Sequence, residues 1–185
     1  MIATTEWVED HFIAGNLALD FANTVYRRWP EPGPDLFTDT ETLNIWLTHT
    51  RLLPDGESSV TEAALEEARA LRALLWTVFD VPKDGHTTIP AEALAGLLDT
   101  ARRSIANLAV HPDGSTTSND ARGALAIVAL SGITLALNPP PQGVRACDRC
   151  GWFFIDSSRG RRRRWCSMKT CGNQAKAARY RTTHP

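Results

Sequence analysis

No apolar stretch in this sequence is long enough to cross a bilayer. The longest nearly uncharged run, residues 124–137, has 14 residues, where about 20 are needed. The first ten residues lack the basic start of a secretion signal and carry Glu6, Glu9 and Asp10 instead. The expectation is a soluble cytoplasmic protein with no membrane partner. The common catalytic signatures are missing as well. There is no G-x-x-x-x-G-K-[ST], no G-x-G-x-x-G, no G-x-S-x-G and no H-E-x-x-H, which argues against P-loop, dinucleotide, serine-hydrolase and zincin chemistry. His11, His49, His86, His111 and His184 are scattered without metal-pair spacing. No cysteine precedes residue 147, so the first three quarters of the chain offers no thiol nucleophile. These absences speak against an enzyme.

What is present is segregated by charge. Residues 144–185 hold 11 Lys/Arg against Asp148 and Asp156, a balance of +9, while the preceding part balances at −10. Two parts with different partners follow from such asymmetry; an acidic body that docks its own basic tail is the alternative. Helical periodicity fills the first part. Asn16 reads as an N-cap before Leu17, Phe21 and Val25. Thr38 with Glu41, and Ser59 with Glu62, have capping-box spacing. Pro90 suits a first helical turn, and Asp120 reads as the cap of the last body helix. Residues 124–137 are apolar on nearly every side and belong at the core centre. Pro139, Pro140 and Pro141 then form a stiff spacer. The predicted organisation is a helical domain over 1–138, a Pro-rich linker over 139–143 and a small module over 144–185. The body of about 140 residues is large enough to fold alone. The module needs a staple.

Cys147, Cys150, Cys166 and Cys171 supply it in the spacing C-x2-C-x15-C-x4-C. Two close pairs separated by a short hairpin let four thiolates converge on one Zn²⁺. Two disulfides are the other use of four cysteines, and a reducing cytosol disfavours them. Four thiolates leave no open coordination position, so the metal is structural. Residues 152–155 are predicted as a first strand, 157–160 as a turn, 161–165 as the return strand, and 173–181 as a helix. The fold class is therefore mainly α, a helical N-terminal domain followed by a treble-clef-like zinc module of knuckle, hairpin and helix.

The run from Cys166 through Cys171-Gly172-Asn173, preceded by Cys147-Asp148-Arg149-Cys150, resembles the bacterial CGNR zinc-finger proteins. Gln174 stands where their name-giving arginine is expected. The segment from Gly15-Asn16-Leu17 to Asn23-Thr24 resembles the opening of the ABATE domain that precedes that finger. The resemblance implies a stress-induced transcription regulator with a nucleic-acid role, and it puts DNA ahead of RNA.

Arg161, Arg162, Arg163 and Arg164, with Lys169, Lys176, Arg179 and Arg181, are the candidate nucleic-acid contacts, since arginine forks match phosphate oxygens. Trp152, Phe153 and Trp165 are either base-stacking platforms or the module's mini-core. Asp20 lies on an apolar helix face and needs a partner; Arg72 is the candidate. An internal bond from Asp20 to Arg72 or to backbone that locks helix packing is one reading, and a candidate effector pocket of Asp20, Asn23 and Arg72 is the other. The leading function is a regulator in which the helical domain senses a small-molecule effector or builds a homodimer. The runners-up are a protein-interaction module that docks an acidic partner, and an RNA-binding protein.

Overall fold

The computed structural model describes residues 6–54, 60–80 and 88–183. A 3₁₀ turn at Glu9–His11 leads into α1 (Leu17–Ala22), α2 (Thr40–His49), α3 (Glu62–Phe79) and α4 (Ala91–Ser104). A hairpin of β1 (Leu108–Val110) and β2 (Thr116–Ser118) precedes α5 (Ala121–Leu137). The finger follows as β3 (Val144–Ala146), β4 (Phe153–Ile155), a π turn at Met168–Gly172 and α6 (Asn173–Thr183).

The apolar run sits where its composition requires. Helix α5 packs against α4, α3 and α1, and residues on all of its sides, among them Ala124, Leu125, Val128, Ala129 and Ile133, are buried. Gly132 lets α5 approach α3 closely, because a Cβ there would lie 2.6 Å from Leu75 Cδ2. Phe21, Phe37 and Trp46 form the aromatic end of the same core. Asn16 caps α1 by accepting from the Ala18 N–H at 2.9 Å, and Asp120 caps α5 by accepting from Gly123 at 2.7 Å.

Other helix starts differ from the sequence reading. Helix α2 begins one residue later than the Thr38 box implies, because the Asp39 carboxylate accepts from the Thr42 N–H at 2.8 Å. Thr42 closes the box by accepting from the Asp39 N–H. Thr61 caps α3, and Ser59 lies outside the described residues. Pro90 is the N-cap of α4 and precedes its first turn. The β1–β2 hairpin was not anticipated, although Asp113-Gly114 at its tip is a turn signal and Gly114 has φ +84°.

The finger's hairpin is built differently from expectation. The partner of β4 is β3, upstream of the first cysteine pair, in the antiparallel register Val144↔Ile155 and Ala146↔Phe153. Residues 161–165 form no strand. Arg161 takes φ +47°, which breaks an extended run, and the Arg163 N–H is captured by the Asp156 carboxylate at 2.8 Å. Strand β4 is the hinge of the architecture. Successive side chains on a strand face opposite ways: Phe153 joins the body's core together with Val144, and Phe154 joins the cysteines and Trp152 in the finger's own core.

Candidate zinc centre and basic face

The four cysteine sulfurs are buried and lie within 4.8 Å of one another. Cys150 and Cys166 Sγ are 3.6 Å apart, and Cys166 and Cys171 Sγ 3.7 Å. Sulfurs at the corners of a tetrahedron around zinc, with bonds of about 2.3 Å, stand about 3.8 Å apart. The donor set and the spacing fit one structural Zn²⁺. The Cys147 thiol is drawn below the ordinary range, first by its hydrogen bond with Cys150. Cys150 and Cys166 are pushed up, first by their hydrogen bonds with Cys147. Zinc binds the thiolate form, so metal binding releases the thiol protons and its affinity depends on pH. Cys147 and Cys150 are presented by the knuckle after β3, closed by the Cys147 N–H to Trp152 carbonyl bond at 2.8 Å. Cys166 precedes the π turn, and Cys171 lies within it, directly before α6.

The body holds this knuckle through backbone and side-chain bonds. Asn23, buried, donates to the Phe153 carbonyl at 2.9 Å and accepts from the Phe153 N–H at 2.8 Å. Trp152 Nε1 donates to the Val25 carbonyl at 2.8 Å, and the Ile155 N–H donates to the Ala14 carbonyl at 2.8 Å. Arg28 bolts the seam. Its backbone N–H donates to the Cys150 carbonyl at 2.6 Å, and its guanidinium donates to the Gly151 carbonyl at 2.8 Å. The same guanidinium pairs with Asp80 and lies 3.9 Å from the Phe153 ring centroid. Burial lowers its pKa, and Asp80 opposes that shift.

The arginine run divides into two kinds. Arg161 and Arg162 are exposed, and their side chains make no hydrogen bond or ion pair among the described residues. Arg163 turns inward: it donates to the Trp165 carbonyl at 3.2 Å and to the Cys166 carbonyl, and covers the Phe154 ring at 4.7 Å. Arg164 pairs with Asp148 at 2.6 Å and lies over Trp165. Lys169 is exposed on the π turn, and Lys176, Arg179 and Arg181 are exposed on α6. Helix α6 buries none of its residues. Trp152 and Phe153 are buried, so they serve as core.

Asp20, Asn23 and Arg72 each have a different partner. Arg72 pairs with Asp35 at 2.5 Å, not with Asp20, and also donates to the Thr24 carbonyl at 2.8 Å. It staples residues 24–35 to α3. Asp20 accepts from the Ala14 N–H at 2.9 Å, and burial pushes its carboxyl up to about 7 against the lowering effect of that bond. Asn23 faces the finger. Arg72 misses Asp20 because Asp35 reaches it from a loop, a pairing that helical periodicity does not display.

A cleft of about 450 Å³ opens elsewhere, between residues 26–30 and the knuckle. Tyr26, Trp29, Trp152, Asp10, Arg149 and Gln174 are among its lining residues. Sequence reading missed Tyr26 and Trp29; the sole available signal was two aromatics within a proline-rich, arginine-bearing loop.

Residues 15–139 match the family model ABATE, described as "Putative stress-induced transcription regulator". Residues 144–184 match the CGNR zinc finger. No curated protein matches the chain. Among the described residues no helix is long and apolar enough to cross a membrane.

Proposed function

The chain belongs to the ABATE family, and from that footing we propose that it is a cytoplasmic transcription regulator whose zinc finger contacts nucleic acid, DNA ahead of RNA. Helix α6 carries this reading. Eleven residues long, it buries none of them and presents Lys176, Arg179 and Arg181 with no acid among them. A helix of that length extends about 16 Å, and a duplex major groove admits one. Tertiary packing normally supplies most of a helix's stability. One with no buried face, anchored at its start by a zinc ligand, suits a partner of opposite charge. Arg161, Arg162 and Lys169 extend the cationic surface toward neighbouring phosphates.

The body supplies sensing or assembly in this reading. A single small module buries about 600–1,000 Å² on DNA, so a homodimer presenting two fingers would read a site better. Light scattering should give twice the 20.4 kDa of one chain; a strict monomer would remove the two-finger arrangement. The function itself is tested by crosslinking in cells, recovering the chain and sequencing the bound nucleic acid. The reading expects discrete enriched DNA sites that disappear when Lys176, Arg179 and Arg181 are alanine. Recovery of no nucleic acid above control, with acidic proteins captured instead, would replace it with the protein-docking alternative.

A further inference from the structure

The cleft beside the knuckle has features that packing does not explain. Trp29 is 51% exposed and Tyr26 64%, yet both are held in place. The Trp29 N–H donates to the Cys150 carbonyl at 3.2 Å, and the Tyr26 N–H donates to the Pro34 carbonyl at 2.9 Å. Gly151 is required under the indole. Its φ is +77°, and a Cβ there would lie 2.5 Å from Trp29 Cδ1. An exposed indole is thus seated on a metal-stiffened turn. Around it stand exposed polar groups. Arg149, within the knuckle, Gln174, in the first turn of α6, and Asp10 are all exposed, and their side chains make no hydrogen bond or ion pair among the described residues. The cavity volume of about 450 Å³ lies within the roughly 300–1,000 Å³ of small-ligand sites.

The chemistry that uses all of these at once is a flat π-face, an edge carrying donors and acceptors, and an anion close by. We propose that this cleft binds one unpaired nucleobase together with its phosphate. The base stacks on Trp29 and Tyr26, as aromatic platforms do in single-strand binders. Gln174, which can both donate and accept, and the acceptor Asp10 meet the base edge. Arg149 takes the phosphate. Cys150, Cys166 and Cys171 also border the cleft, so an occupant abuts the zinc site and the start of α6. The nucleotide unit has two sources, a strand or a free mononucleotide. The proposal rests on the nucleic-acid reading for the first source and stands without it for the second.

The test uses the full zinc-loaded chain. Affinities are measured for fluorescent single-stranded 12-mers of DNA and RNA, for a duplex of the same sequence, and for AMP, GMP, CMP and UMP by calorimetry. Trp29→Ala should weaken single-strand binding about tenfold, and Trp29→Phe should restore most of it. Duplex binding through α6 should change less than about twofold. A loss confined to strands assigns the strand as source. Mononucleotide binding that Trp29→Ala abolishes assigns the free nucleotide. Zinc content and circular dichroism check the fold, and Arg149→Ala, an exposed and unpaired position, provides a second variant should Trp29→Ala lose metal. Wild-type single-strand affinity in both variants, with no mononucleotide bound to the wild type, overturns the proposal. If α6 still binds duplex in that case, the regulator reading survives; if the wild type binds no nucleic acid of any kind, both fall.

Discussion

Asn23 does for β4 what a neighbouring strand would do, with one amide meeting both the N–H and the carbonyl of Phe153. Removing it leaves two buried backbone groups without partners, each costing about 1–3 kcal/mol. Asn23→Ala should therefore lower unfolding stability by about 2–4 kcal/mol in urea titrations, and Asn23→Asp, which cannot donate, should rescue little. A loss under about 0.5 kcal/mol, the range of neutral surface substitutions, would contradict this role. Asp20 makes a different prediction. Its folded carboxyl titrates near 7, above the unfolded value of about 3.9, so the native state binds the extra proton. Stability from this group is full below pH 4 and falls as pH rises through about 7, at about 1.4 kcal/mol per unit at most. Asp20→Asn keeps an acceptor for Ala14 and should flatten stability against pH between 4 and 7. An unchanged slope would place the proton elsewhere. The need of Asp20 for an internal partner was legible, though not that Ala14 supplies it; the role of Asn23 was not, because it acts across 130 positions of chain and spacing cannot display that.

At the scale of elements, the sequence carried the helices and the metal well and the hairpin badly. Residues 124–137 read as core because an all-apolar helix has nowhere else to go, and the four cysteines read as zinc because their spacing is geometry. The return strand failed because pairing is decided by which backbone donors meet, and Asp156 takes the Arg163 N–H. The arginine run shows the same limit. Four identical side chains look like one patch, but Arg163 folds under the finger and Arg161 and Arg162 stay out. Arg163→Ala should lower zinc affinity and the melting temperature of the finger by leaving the Trp165 and Cys166 carbonyls short of a donor. Arg162→Ala should leave both unchanged and weaken nucleic-acid binding. Equal behaviour of the two variants in metal competition titrations would show that the run acts as one surface.

Across the whole molecule, the finger and the body share a continuous seam. Val144 and Phe153 complete the body's core, and Asn23, Arg28, Val25 and Ala14 are spent on the finger. The matches at 15–139 and 144–184 divide the chain by family, while packing joins it. Truncation after Gly143 should therefore destabilise the body. Loss of one buried phenylalanine alone is worth about 3–5 kcal/mol, so the fragment should melt well below the full chain, and a chelator should move the full chain's transition the same way. A fragment as stable as the full chain would restore the separable arrangement. Charge is the one whole-molecule property the sequence displayed directly. A tail of +9 on a body of −10 now resolves into an exposed α6 with Arg161, Arg162 and Lys169 exposed on the same finger. Nucleic-acid binding by this surface is read from the salt dependence of duplex affinity. Each phosphate contact contributes about 0.9 to the slope of log K against log salt. Replacing Lys176, Arg179 and Arg181 with alanine should weaken binding and lower that slope by about 2 to 3. Wild-type affinity and slope in the triple variant would show that α6 makes no phosphate contact.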